Sequence, residues 1–443
     1  MKPLKQLQHS LVRWRLLSFF WLASIVVGCA SVFFAQLADA MSRVQHVWFA
    51  HLAWLYMLLA PLGVSLLVWL TTRFFPQAGG SGIPQVIAAL RLPTVDRQRL
   101  LAWPIALIKV GLTSIGLLFG LSIGREGPTI QVGATIMHAV GCWRFFPKHY
   151  MIKGLILAGG AAGLAAAFNT PLAGIVFAIE ELSRSFEEKI NGIILTAVLF
   201  SGLTAVGLIG NYYYFGQVKA TLASTSYVGW LLIPLLALGG GLLGGSFSAC
   251  LLWGNRILKP LRHGYPWRFG LVMGFAIVLL GLSSSGHTFG TGYAEAKALL
   301  GNPEPAFVAY QADLFTPLAK MMATLFSYWT GVPGGLFSPS LSAGAAFGAS
   351  MAPYFPAMPR ESLTVLGMTA YFVGVVQTPL TALVIITEMT HNDSMMLALM
   401  LTALLAQGAS RMVCPRPIYQ RLAEDFLFGG KSSMMSGKVR ATS

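Results

Sequence analysis

The chain has 443 residues, of which 55% are hydrophobic and only 10% charged, and its mean hydropathy is +0.68. Soluble domains carry about 25% charged residues, so this chain lacks the surface chemistry to stay in water. Its net charge of +15 would suggest nucleic acid in a soluble protein. Here the cations cluster in short polar segments, as in cytoplasmic loops and termini under the positive-inside rule, and no nucleic-acid partner is expected. They are Lys2, Lys5, Arg13 and Arg15; Arg91, Arg97 and Arg99; Arg256, Lys259, Arg262 and Arg268; and a tail from Arg411 to Arg440.

Taken in chain order, apolar runs cover 16–38, 51–73, 101–123, 151–167, 190–211, 227–253, 268–284, 315–332 and 394–411. Several reach the roughly 20 residues that a bilayer core requires; others are short and broken by Gly or Pro. Ala38-Asp39-Ala40 resembles a cleavage site, but the apolar stretch before it exceeds a signal-peptide core of about 7–15 residues. The first run therefore reads as a true span. One membrane domain is expected over 1–428, followed by a short basic cytoplasmic tail over 429–443. The four cysteines, Cys29, Cys142, Cys250 and Cys414, lack metal-ligand spacing and imply neither a disulfide nor a metal site.

An internal repeat emerges from two motifs. Residues 161–182 read AAGLAAAFNTPLAGIVFAIEEL and 370–390 read AYFVGVVQTPLTALVIITEMT, with Glu180 nine residues after Pro171 and Glu388 nine after Pro379. Upstream, Pro128 precedes Gly133 by five residues, as Pro339 precedes Gly344. The offsets of 208 and 211 residues place both motifs in register, which argues for two related halves. Transporters built this way bind substrate near the midplane, at discontinuous helices.

Three segments share the pattern Gly-x-x-x-Pro: Gly80–Pro84, Gly124–Pro128 and Gly335–Pro339. Proline favours the first helical position, and glycine lets the preceding backbone turn and approach a ligand. Each segment reads as a loop delivering backbone N–H groups at a helix N-terminus, which carries about half a positive charge and binds anions. Among the fifteen acids, only Glu126, Glu180, Glu181 and Glu388 fall in or against apolar segments, with Arg125 and Lys109 as the matching cations. Ionisable groups in such places are costly and usually functional. Glu180, Glu388 and Lys109 are expected in buried ion pairs that fix helix positions. Glu126 and Glu181 lack carboxylate counterparts in the other half (Phe337 lies near the first, Met389 aligns with the second) and are the candidate functional acids.

The strings GSGIP (80–84), GREGP (124–128) and GGLFSP (334–339), with Tyr419 near the C-terminal end, resemble the signature of the CLC chloride channels and transporters over about residues 16–425. The resemblance implies an all-α membrane fold of about eighteen helices in two inverted repeats, roughly 16–211 and 227–425, many helices being short or discontinuous. It further implies a homodimer with one pathway per subunit, in an inner (plasma) membrane, with both termini cytoplasmic. Ser81, Tyr419 and the amides of Leu336 and Phe337 would hold a central anion. The Gly80 and Ser81 amides would shape an inner site, and amides around Arg125, Glu126 and Gly127 an outer one. Glu126 matches the gating glutamate and Glu181 the internal proton relay of exchanging members. Chloride and protons are then the substrates, with no cofactor. Gln85 departs from the Glu that many members carry after GSGIP, and no nucleotide-binding module follows Tyr419, so no regulation by nucleotides is expected.

Two other readings are weaker. Gly120–Gly124 matches a nucleophile-elbow pattern and Gly239–Gly244 a dinucleotide loop, but both need a strand–turn–helix context and both lie in apolar helical runs. No enzyme is expected. A passive chloride channel of the same fold is the closer alternative, and Glu181 is the residue that favours exchange over it.

Overall fold

Lipid offers the backbone no hydrogen-bonding partner, so a spanning chain must satisfy its own amides, and helices do this locally. All nine apolar runs are helical in the structure, a computed structural model that describes residues 2–143, 151–183, 188–210, 213–221, 227–356 and 358–427. The tail expected over 429–443 lies outside the described residues.

The first half contains α1 (Lys2–His51), α2 (Ala53–Arg73), α3 (Ile83–Arg91), α4 (Thr94–Leu100), α5 (Trp103–Leu118), α6 (Glu126–Gly141), α7 (Met151–Phe168), α8 (Pro171–Phe177) and α9 (Glu188–Ile209). A single π-helical turn, Ala178–Ser183, extends α8. The second half contains α10 (Tyr227–Gly264), α11 (Pro266–Ser283), α12 (Tyr293–Leu299), α13 (Phe315–Trp329), α14 (Phe337–Ser350), α15 (Arg360–Val376), α16 (Pro379–Thr390) and α17 (Met396–Val413). The chain is helical again over 418–427. Among the described residues, seven helical segments are long and apolar enough to cross a membrane. The first runs unbroken through Ala38-Asp39-Ala40, and Ala38 is buried.

The two halves repeat in their packing. Gly133 on α6 lies so close to the Gly159 carbonyl on α7 that a Cβ would collide with it. Gly344 on α14 is pressed in the same way against Gly367 and Met368 on α15. Small residues let helix backbones approach inside a membrane, and this explains the Pro-to-Gly spacing that recurs in the sequence. Asn169 and Gln377, each two residues before a repeated Pro, both adopt left-handed backbone, with φ of 56° and 58°.

The repeated glutamates reveal the inversion. Glu388 at the end of α16 accepts hydrogen bonds from the Leu172 and Ala173 amides at the start of α8, at 3.1 and 2.7 Å. Glu180, at the far end of the α8 segment, accepts from the Leu380 and Thr381 amides at the start of α16, at 3.2 and 2.6 Å. Each helix therefore ends against the beginning of the other, as two inverted copies require. The expected ion pairs do not form at these positions. Each carboxylate instead satisfies free N–H groups at a helix start, where the helix dipole also favours negative charge.

Candidate functional site

The three Gly-x-x-x-Pro segments converge. Gly124 and Gly335 donate their amides to each other's carbonyls, and the Gly334 amide reaches the Gly80 carbonyl at 3.3 Å. A Cβ on Gly82 would strike the Gly127 carbonyl, and one on Gly127 would strike Ser81. Only glycine permits this approach. The loops lead directly into α3, α6 and α14, so three helix N-termini with free amides and partial positive charge meet in the protein interior. The prolines sit one or two residues later than expected: Pro84 is the second residue of α3, while Pro128 and Pro339 are third in α6 and α14. This placement is tolerated because none of the first four helical amides has an intrahelical acceptor.

Ser81, Glu126, Leu336, Phe337 and Tyr419 are all buried here. The hydroxyls of Ser81 and Tyr419 neighbour one another, and neither finds a well-formed hydrogen bond. The Phe337 ring packs against Tyr419, Phe372 and Phe177, with centroids 6.0, 5.0 and 5.9 Å away. These side chains surround a small polar spot with apolar walls. Gln85 accepts the Gly82 amide at 2.9 Å and donates to the Gly79 carbonyl at 2.5 Å. An amide side chain is therefore suited to brace the GSGIP turn where many CLC members carry Glu.

Glu126 is the first residue of α6. Its Oε1 accepts from the Tyr293 hydroxyl at 2.6 Å and its Oε2 from the Ser338 hydroxyl at 3.2 Å. The neighbouring Arg125 turns its guanidinium the other way. It pairs with Asp39 at 2.8 Å, donates to the Tyr214 hydroxyl at 2.8 Å, and bonds the Ala35 carbonyl. Its backbone, rather than its charge, belongs to the converging loops. Glu181 is buried within the π-helical turn, a local distortion often found at functional sites. Gln420, next to Tyr419, donates to the Glu181 carbonyl at 3.3 Å.

The buried charges differ from expectation in three places. Lys109 has no acidic partner among its hydrogen bonds; its ammonium bonds the Gly80 carbonyl at 3.0 Å. Lys320 is a further buried cation, tied to the carbonyls of Thr288, Phe289 and Gly290 at 3.1, 3.2 and 3.1 Å. Glu295 is a further buried acid, 3.9 Å from the His287 ring. Sequence reasoning also missed Tyr293, Ser338, Tyr214 and Asp39. Ser338 was visible inside GGLFSP, but its hydroxyl had no distinguishing pattern. Asp39 stands one residue past the first apolar run, and it could have been sought as a partner for Arg125.

Cavities approach the converging loops from two sides. One, of about 890 Å³, is lined by Asp39, Arg125, Tyr214, Tyr293 and Glu295 and reaches the Glu126 side. The other, of about 230 Å³, is lined by Gly80, Ser81, Tyr328, Lys259 and Arg262 and reaches the Ser81 side. Glu126 is bonded to Tyr293, which lines the larger cavity, and Ser81 lines the smaller one.

Comparison with known proteins agrees with this geometry. The family model described as voltage gated chloride channel matches residues 62–411. A protein of Cronobacter sakazakii named H(+)/Cl(-) exchange transporter ClcA is 31% identical over 424 residues, covering 90% of this chain and 87% of that one. A protein of the same name from Yersinia pestis is 31% identical over 426 residues, covering 90% and 85%. The crystal structure of a slow cyanobacterial Cl-/H+ antiporter superimposes with a TM-score of 0.78 at 28% identity, covering 93% of this chain and 98% of that one. A CLC-type fluoride/proton antiporter gives 0.75 at 25% identity, covering 92% and 98%. With its helix N-termini converged on one buried carboxylate and its fold shared with these proteins, the chain belongs to the voltage gated chloride channel family.

Proposed function

We propose that this protein exchanges chloride for protons across a membrane, with Glu126 as the gating and coupling acid and Glu181 as the internal proton relay. One observation carries the reading: a buried carboxylate occupies the N-terminus of α6, in a place built for an anion. A deprotonated Glu126 is itself the anion that the helix termini favour. Protonation removes that attraction, the side chain can leave, and chloride can take its place. One group thus links proton occupancy to anion occupancy, as exchange requires. Ser81, Tyr419 and the amides of Leu336 and Phe337 hold the central anion. Gly80 and Ser81 serve the inner approach, and the backbone of Arg125 to Gly127 the outer one. Glu181 delivers protons by a route that chloride does not use. The relatives' names support exchange over a passive channel.

The distribution of charge supports a placement in the membrane. Arg91 donates to Gln420 at 2.6 Å, and Lys259, Arg262 and Asp425 line the Ser81-side cavity. The basic segments around 91–99, 256–268 and 411–421 therefore gather at one face, which the positive-inside rule assigns to the cytoplasm. The Glu126 mouth then opens outward, in an inner (plasma) membrane, and both termini are cytoplasmic. Leu195, Leu199, Leu380, Leu397 and Leu404, exposed on α9, α16 and α17, would face lipid or a second copy equally well. Glu180 and Glu388 are only half-buried beside them, and carboxylates facing lipid are costly, so a second copy would cover both.

The decisive measurement is a proteoliposome flux assay that records chloride and pH together. A chloride gradient should drive protons uphill, and this driven movement should vanish in Glu126→Gln. Chloride flux with no driven proton movement in the wild type would establish a channel instead.

A further inference from the structure

Resting on that reading of Glu126, we infer that Tyr293 is the positioning residue that latches the deprotonated gate in its blocking place and so sets the pH at which chloride flux turns on. The bond from the Tyr293 hydroxyl to Glu126 Oε1, at 2.6 Å, is the shorter of the two the carboxylate makes. A hydroxyl bonded to a charged carboxylate is a strong, short contact, and it weakens when the acid is protonated. The charged and titratable groups around Glu126 are Arg125 beside it in the chain, Tyr293 from α12, and Tyr419 from the helix over 418–427. The Arg125 guanidinium is committed to Asp39, Tyr214 and the Ala35 carbonyl. The Tyr419 hydroxyl lies against Ser81, with Glu181 and Glu126 both within electrostatic reach but neither bonded to it. Ser338, from α14, completes the set at 3.2 Å.

The latch cannot follow the gate. The Tyr293 ring is wedged among Tyr214, Phe215 and Phe168, with centroids 4.5, 6.1 and 6.2 Å away. The turn that presents it is clamped by the Lys320 ammonium, which bonds three successive carbonyls just before Gly292. A Cβ on Gly292 would meet the Lys320 side chain and Ser342. The buried Lys320 thereby fixes the turn that fixes Tyr293. A hydroxyl held so firmly bonds Glu126 in one position only. When the carboxylate leaves, the bond is lost rather than stretched, so Tyr293 stabilises the closed gate selectively.

The experiment compares wild type, Tyr293→Phe, Glu126→Gln and the double variant in proteoliposomes, measuring initial chloride efflux across the acid-to-neutral range. Tyr293→Phe should move the midpoint of acid activation upward by about one pH unit, since a tenfold weaker hold on the carboxylate corresponds to one unit. Near neutral pH its chloride flux should exceed that of the wild type, by up to about tenfold. In the Glu126→Gln background, Tyr293→Phe should change nothing, because the latch acts only through the carboxylate. A Tyr293→Phe profile that superimposes on the wild type overturns the latch, and so does an equal effect in both backgrounds. Should Tyr293→Phe fail to fold, 3-fluorotyrosine placed at position 293 keeps the shape and sharpens the donor. It should move the midpoint downward, and an unmoved midpoint overturns the proposal. Loss of proton coupling in the wild type, or its survival in Glu126→Gln, would instead bring down the exchange reading itself.

Discussion

Gly124 and Gly335 donate backbone hydrogen bonds to one another, at 2.7 and 2.6 Å, and this two-way bridge sits at the meeting point of the two inverted halves. Two residues further along each loop lie Glu126 and Phe337, the first residues of α6 and α14. Equivalent positions in the repeat thus carry a buried carboxylate on one side and an aromatic ring on the other.

Close approach at these loops makes a sharp prediction. Gly127→Ala drives a Cβ into the Ser81 backbone, and overpacking of this kind costs about 1–3 kcal/mol. Chloride flux per folded protein should fall about fivefold or more, since about 1.36 kcal/mol corresponds to tenfold. Gly111→Ala on α5, where nothing lies within 4 Å of the added carbon, should leave flux unchanged. The assay is chloride efflux normalised to monodisperse protein.

The reciprocal caps predict a stability effect with little functional cost. Glu180→Gln and Glu388→Gln each weaken two backbone contacts at a helix start, and each should destabilise by about 1–2 kcal/mol. Thermal unfolding in detergent should show both midpoints falling, that of Glu180→Gln further, because its carboxylate also accepts from the Thr381 hydroxyl at 2.7 Å. The proton-to-chloride ratio of the folded protein should be unchanged. A change in that ratio would make either residue more than a cap.

Glu126→Gln and Glu181→Gln should part company. The first mimics the protonated gate, so proton movement and the pH dependence of chloride flux should both disappear. The second removes the proposed relay, which on that proposal lies off the chloride path, so chloride flux and its pH dependence should persist while driven proton pumping is lost. Were Glu181 only one half of a structural buried pair, its loss would cost roughly 3–5 kcal/mol and take chloride flux with it. Combined chloride and pH electrodes, with size-exclusion profiles of each variant, separate these outcomes.

Tyr419 faces Ser81 on one side and the Phe337 ring on the other. Tyr419→Ala should open the central site toward the Ser81-side cavity. Chloride binding measured by calorimetry should weaken, and the proton-to-chloride ratio should drop, with chloride flux retained or faster. Tight coupling in this variant would reduce Tyr419 to a packing residue.

The amino-acid sequence carried the solvent, the helical class, the duplication and the loops that build the site. Each of these is written locally: lipid demands unbroken apolar helices, and Gly-x-x-x-Pro encodes a turn and a helix start within five residues. It also singled out Glu126 and Glu181, because a carboxylate in an apolar stretch stands out against its neighbours. Partners were a different matter. That Glu180 and Glu388 cap each other's helices depends on contacts spanning 200 to 216 residues of chain. Tyr293 meets Glu126 across 167 residues, from a seven-residue helix with no apolar run or motif to mark it. Lys320 stood inside the apolar run 315–332 with nothing to show its partners, and Glu295 looked like an ordinary charge beside a loop until folding buried it. Whether a side chain donates, clamps or pairs is decided by what is brought within about 3 Å of it, and in a fold of two inverted halves that is seldom its neighbour in sequence.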